Sequence, residues 1–230
     1  MKVTPMIFNT EMVKALLDGR KTVTRRPVNR AGEFNFVVES GKTKERYVTD
    51  ENNAHQKWLK FPINIGDLIY VRETFCPDPD CDHDSWDDHE LSFFEWNNCG
   101  CSAEFLPDAL KTNEHCLFKA GGFPDLKWTP SIHMPRWASR ITLRVTDVRI
   151  ERVQEITEDQ AVQEGLAKHP QLPVWWSPVG YQTSPIYAYE ELWNSIYQNW
   201  DENPYVWVIE FEVIHQNVDK FVSELGDACQ

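Results

Sequence analysis

Apolar positions mark out the elements before any single residue is singled out. Val3 to Phe8 is a short apolar run of strand length. From Thr10 to Asp18, Met12, Val13, Leu16 and Leu17 recur at helical spacing, with Thr10 placed as an N-cap and Gly19 as a stop. Leu68-Ile69-Tyr70-Val71 is almost wholly apolar and predicts a central strand, entered through the turn Ile65-Gly66-Asp67. Alternation in Glu33 to Val38 and in Arg46 to Val48 predicts a hairpin turning at Ser40-Gly41. Ile141, Leu143, Val145, Val148 and Ile150 alternate as one long strand or as a hairpin through Thr146-Asp147. Thr157 and Gln160 have capping-box spacing and open a helix that runs to Gly165. Ser184-Pro185 opens another, with Ile186, Tyr189, Leu192, Trp193 and Ile196 as its apolar stripe. Tyr205 to Ile214 is the last strand, and the tail from His215 reads as polar and loose.

Three stretches break these periods. Residues 76–114 begin with Pro77-Asp78-Pro79-Asp80 and read as an insertion, after which His115 to Ala120 returns to strand. Trp128 to Arg140 is too rich in proline for a helix, and residues 167–183 read as irregular. The insertion also carries most of the charge. The chain has 230 residues and a net charge of −13, and nine acids with no Lys or Arg fall between residues 76 and 104. A protein that grips long nucleic acid usually has a basic balance, so the totals argue against that class. They leave room for a small basic face near residues 20–30. The hydrophobic fraction of 41% supports a true core, and ten Trp, seven Tyr and twelve Phe supply rings for it or for a flat ligand. The N-terminus has no apolar stretch of signal-peptide length, and no run of about 18 apolar residues is present. Six cysteines without such a signal imply reduced thiols and a cytoplasmic location, with no membrane contact.

The chemistry concentrates in Gly19-Arg20-Lys21-Thr22-Val23-Thr24-Arg25-Arg26, where the helix stops and a β-branched strand begins. Side chains two apart share a strand face. Thr22, Thr24 and Arg26 therefore point one way, Val23 and Arg25 the other, and Lys21 sits in the turn before them. A lysine beside a threonine is either part of a solvated basic turn or an activated nucleophile pair. The second needs a neutral amine, and burial or the charges of Arg20, Arg25 and Arg26 would favour one. Arg72 and Glu73, at the far end of the central strand, read as a site-facing pair or as a satisfied ion pair. His133, Arg136, Trp137 and Arg140 suit stacking on a base and hydrogen bonding to it, or an irregular segment with Trp137 in the core. Glu164 lies in the last turn of its helix, against the dipole, so helix stability does not explain it.

Metal is a weaker reading. Cys76, Cys81, Cys99 and Cys101 offer four thiolates, with His83, His89, His115 and Cys116 nearby, but the Cys-x4-Cys and Cys-x-Cys pairing is uncommon for zinc. Asp78-x-Asp80-x-Asp82 lacks the glycine and glutamate of a calcium loop. No cofactor and no metal are expected.

Gly19-x-Lys21-x-x-x-x-Arg26 resembles the signature of the ASCH (activating signal cointegrator homology) family of the PUA-like superfamily. The resemblance extends through Gly66-Asp67 and its strand, Ile141 to Val148, Glu158 to Gly165 and Val206 to Phe211. Val71 to Thr74, Pro130 to Arg140 and Trp207 to Phe211 are similar to a longer subfamily found in tailed bacteriophages and prophages. The match covers most of residues 3–214. It implies an α+β fold: a PUA-like mixed β-barrel with flanking helices and an acidic insertion at about 76–114, one domain over residues 1–214, and a polar tail over 215–230. Small bacterial members of the family are amidohydrolases that cleave N4-acetylcytidine. By resemblance, Lys21, Thr24 and Glu164 carry catalysis. Arg26, Arg72, Glu73, His133, Arg136 and Trp137 are the candidate substrate contacts. The partner is then a small nucleoside. The alternatives are an RNA or modified-base binding module of phage origin, including a nuclease, and a phage assembly or interaction protein. The chain is more than twice as long as the small enzymes.

Overall fold

The computed structural model describes residues 1–28, 36–39, 46–49, 56–58, 63–77, 111–123 and 127–227, without the side chains of residues 36–58. The fold is mixed α+β, with four α-helices among these residues. The chain forms two compact units, both discontinuous in sequence. One comprises residues 1–17, 68–144 and 213–230, the other residues 18–67 and 145–212.

In the first unit, β1 (Val3–Ile7) pairs in parallel with β6 (Leu68–Arg72). The opposite edge of β6 pairs antiparallel with the start of β9 (Thr142–Arg152), so β6 is the central strand that its apolar run predicts. The Gly-Asp turn before β6 places Gly66 at φ +85°. α1 (Thr10–Leu17) buries Val13, Ala15 and Leu16 as its spacing requires. Its cap is Asn9 rather than Thr10: Asn9 Oδ1 accepts from the Met12 amide at 2.8 Å. β7 (Phe75–Pro77) pairs with β8 (Cys116–Phe118), and Phe75, Phe118, Met134 and Ala138 pack as one cluster. The proline-rich segment before β9 forms two single 3-10 turns, at Ser131–His133 and Arg136–Ala138.

The tail differs from expectation. Val218–Asp227 is a helix, here α4. Val218, Phe221, Val222 and Leu225 follow helical spacing inside a polar stretch, and Val218 is fully buried. Asn217 ties the helix down. Its amide nitrogen donates to the carbonyls of Arg136, Trp137 and Ser139.

In the second unit, β12 (Tyr205–Ile214) pairs antiparallel with β2 (Val23–Pro27), setting Ile209 opposite Thr24 and Val208 opposite Arg25. The strand order there is β9, β12, β2. β9 is one continuous strand rather than a hairpin. β3 (Phe36–Glu39), β4 (Arg46–Thr49) and β5 (Gln56–Trp58) form a three-stranded antiparallel sheet, one strand more than the predicted hairpin. α2 (Glu158–Gln163) has the predicted capping box, and Gly165 follows it at φ +96°. α3 (Pro185–Ile196) lays Ala188, Tyr189 and Trp193 on a cluster with Val23, Val153, Ile156, Ala161 and Val208. Residues 167–183 include a hairpin, β10 (Trp175–Ser177) with β11 (Gly180–Gln182). Ser177 fixes its turn by donating to the Gly180 carbonyl at 2.8 Å.

The described strands form open sheets, and among the described residues no sheet closes into a barrel. No helix among them is long and apolar enough to cross a membrane.

Candidate active site

The site grows from the end of α2. That helix is six residues long, well short of what holds alone in water, so its ends must be fixed by partners. At the N-terminus, Thr157 Oγ1 accepts from the Gln160 amide and Gln160 Oε1 accepts from the Thr157 amide. At the C-terminus the carbonyls point at the residues that lead into β2. The Thr22 amide donates to the Gln163 carbonyl at 2.9 Å. Lys21 Nζ donates to the Glu164 carbonyl at 2.8 Å, and Arg20 Nη1 to that of Gly165 at 2.6 Å. Two cations thus satisfy carbonyls at the negative end of the helix.

Glu164 itself stands between two further bonds. Its Oε2 accepts from Lys21 Nζ at 2.7 Å and its Oε1 from Arg25 Nη1 at 3.2 Å. This accounts for a carboxylate placed against the dipole of its own helix. Lys21 has no solvent exposure at all, and Thr24 and Glu164 are 2% and 4% exposed. Burial pushes the Lys21 amine below its ordinary value of 10.5. The Glu164 carboxylate opposes that shift, and the charges of Arg26 and Arg25 add to it. Arg25 continues the network: Nη2 donates to Glu151 Oε2 at 3.2 Å and to Gln160 Oε1 at 3.0 Å. Glu151 is held in turn by Arg149, which also meets Asp147 and Glu210. Tyr189 of α3 is buried, and its phenol is pushed well above its ordinary 10.0 by burial first and by the Glu164 charge second.

Lys21 and Glu164 are therefore brought together by the second unit. Lys21 reaches the carboxylate that Arg25 also reaches, which settles which way it leaves the turn. Thr24, buried on β2, alternates with Val23 and Arg25. Arg26 Nη1 lies 3.4 Å from the Tyr197 hydroxyl. Arg25, Glu151 and Gln160 are the members that sequence reasoning did not assign. Alternation already placed Arg25 with Val23, but nothing local pointed to Glu151.

The remaining candidates belong to the first unit. Arg140 makes two bonds to buried Glu73, at 2.9 and 3.1 Å, and lies 4.1 Å from the centre of the Phe118 ring. Burial raises the Glu73 carboxyl above its ordinary 4.5, and Arg140 opposes the rise. Glu73 thus pairs with Arg140 rather than with its neighbour Arg72, whose guanidinium donates to the Ile132 carbonyl. Arg136 pairs with Asp219 of α4. Trp137 packs on the Phe75 cluster, and His133 is exposed in its 3-10 turn. Of the thiolates considered for zinc, Cys76 lies on β7, while Cys81, Cys99 and Cys101 lie outside the described residues. His83, His89 and the Asp78 to Asp82 run lie outside them as well. His115 and Cys116 fall at the start of β8. No cluster of three metal-ligating residues occurs among the described residues.

No protein-family model, curated protein or solved structure matches this chain.

Proposed function

We propose that the protein is an amide hydrolase that removes the acetyl group from N4-acetylcytidine or a related acylated nucleoside. The observation that carries the reading is Lys21, a fully buried lysine whose amine burial drives towards the neutral form, 2.7 Å from a carboxylate. A buried amine whose neutral form burial favours is a candidate base. Thr24 lies three positions along the same segment, on the β2 face opposite Arg25, so the reaction requires its hydroxyl to come round to the Lys21 amine. The resemblance to the ASCH amidohydrolases assigns the same pair.

In the proposed reaction, neutral Lys21 takes the proton of Thr24 Oγ1 as that oxygen bonds to the acetyl carbon. The carbonyl oxygen becomes an oxyanion, for which the Arg26 guanidinium is the candidate donor. The carbon–nitrogen bond then breaks, and the Lys21 ammonium returns its proton to the departing cytosine amine. Water attacks the acetyl-threonine ester, releases acetate and restores the hydroxyl. Glu164 orients the Lys21 amine and stabilises its charged form during the cycle. Because Lys21 has no exposure, substrate entry requires the wall over it to open.

The nucleic-acid reading draws less support. Arg20, Arg25, Arg136, Arg140 and Arg149 all meet carboxylates of this chain, which reduces their availability to phosphates. The deciding test is incubation with N4-acetylcytidine, followed by chromatography for cytidine. Cytidine is expected with the parent and not with Lys21→Met or Thr24→Ala. A parent that releases none, or variants that match it, would overturn the reading.

A further inference from the structure

Arg25 has no step in the mechanism above, yet it is among the most enclosed cations of the second unit, with no side-chain exposure. It takes one oxygen of Glu164 while Lys21 takes the other. One carboxylate therefore stands between two buried cations. Only one of them can give up its proton, because a guanidinium holds its own above about pH 12. In an isolated buried Lys–Glu pair, a neutral amine would leave the carboxylate without a counter-charge, so the proton stays on the lysine. With Arg25 on the second oxygen, that penalty disappears. Arg25 and Glu164 remain a compensated pair after Lys21 has lost its proton.

We propose that Arg25 is a positioning residue for the Lys21 site, holding the second oxygen of Glu164 so that the carboxylate stays compensated when the Lys21 amine is neutral. The claim rests on the hydrolase reading only in calling Lys21 the base. The groups that face Lys21 support it. Glu164 at the end of α2 favours the charged amine, while Arg25 and Arg26 on β2 disfavour it. Tyr189 of α3 faces Glu164 and Arg25 as a protonated phenol. Glu151 of β9 bonds Arg25 from the far side, and its own charge is met by Arg149.

The test uses the full chain with nitrogen-15 in its lysine side chains, titrated by NMR at the Nζ resonances and without substrate. Arg25→Gln removes the charge while leaving Glu151 its Arg149 partner and Gln160 its capping partner. The Lys21 midpoint is expected to rise by about one to three pH units. Val23→Ala, on the same strand face as Arg25 and in the apolar cluster that holds Tyr189, loosens packing without altering charge and should leave the midpoint in place. An unmoved midpoint in Arg25→Gln, or an equal rise in Val23→Ala, would overturn the assignment. Should Arg25→Gln fail to fold, Arg25→Met decides: it removes the same charge on an unbranched chain, and the midpoint must rise there too. An unmoved midpoint in that variant refutes the proposal. Because the readout is ionisation alone, a protein that hydrolyses nothing can still bear it out, and an active enzyme can still refute it.

Discussion

At the scale of the residue, the consequence that reaches furthest is the linkage between Lys21 and stability. Its folded-state value lies below 10.5, its ordinary value, so between the two the native state binds fewer protons than the unfolded chain. Stability from this group therefore rises with pH across that window. It is complete above 10.5 and lost as pH falls through the folded value. Lys21→Met removes the group, so the stability gap between parent and variant should shift in the parent's favour as pH rises from neutrality towards 10. Urea unfolding of both proteins at several pH values measures it. A gap independent of pH would mean that the amine titrates alike in both states. Glu73 behaves in the opposite sense. Its raised value gives stability that is full below 4.5 and lost as pH rises through the folded value.

At the scale of the element, α2 is a short helix whose work is done at its ends. Thr157 and Gln160 close the front, and Gln160 Oε1 also accepts a hydrogen bond from Arg25. The cap and the ion network therefore share an atom. Thr157→Ala should destabilise the protein by about 1 kcal/mol. It should also lower hydrolysis by more than that loss of folded protein explains, because Glu164 hangs from the other end. Thermal unfolding and the cytidine assay, run on the same sample, separate the two effects. This helix was readable from the sequence because capping chemistry is local. So were α1, α3, β6 and β12, whose apolar periods run long enough to be counted; for β9 the period gave strand but not whether it was one strand or a hairpin. Two elements were not. α4 hides its apolar stripe in a polar stretch, and β10–β11 turns on a Ser177 hydrogen bond that no periodicity announces. The same limit explains the site. Lys21 and Thr24 sit in a recognisable segment, but Glu151 joins Arg25 across 126 positions, which only the fold can show.

At the scale of the whole molecule, charge is the strongest constraint on partners. At −13, the protein should pass through a heparin column at about 0.15 M salt without retention, whereas an RNA-binding protein would be held and released in a salt-dependent way. Strong retention would move the weight to the binding module. The resemblance anticipates a closed barrel, and the described sheets are open. Strand existence follows from local pattern, but closure depends on register and tilt that the pattern does not carry.

The span between Lys21 and Glu164 also sets the order in which the parts become available. They are 143 positions apart, so a ribosome working at about 5–20 residues per second exposes β2 roughly 7–30 seconds before its carboxylate exists. Throughout that interval β2 is an unpaired strand, the kind of segment that invites pairing between nascent chains. Lys21, Arg25 and Arg26 are still solvated then, and a strand dense in positive charge repels its own copies. Lys21 and Arg25, which the finished protein buries, are before burial part of the positive charge that sets nascent copies against one another.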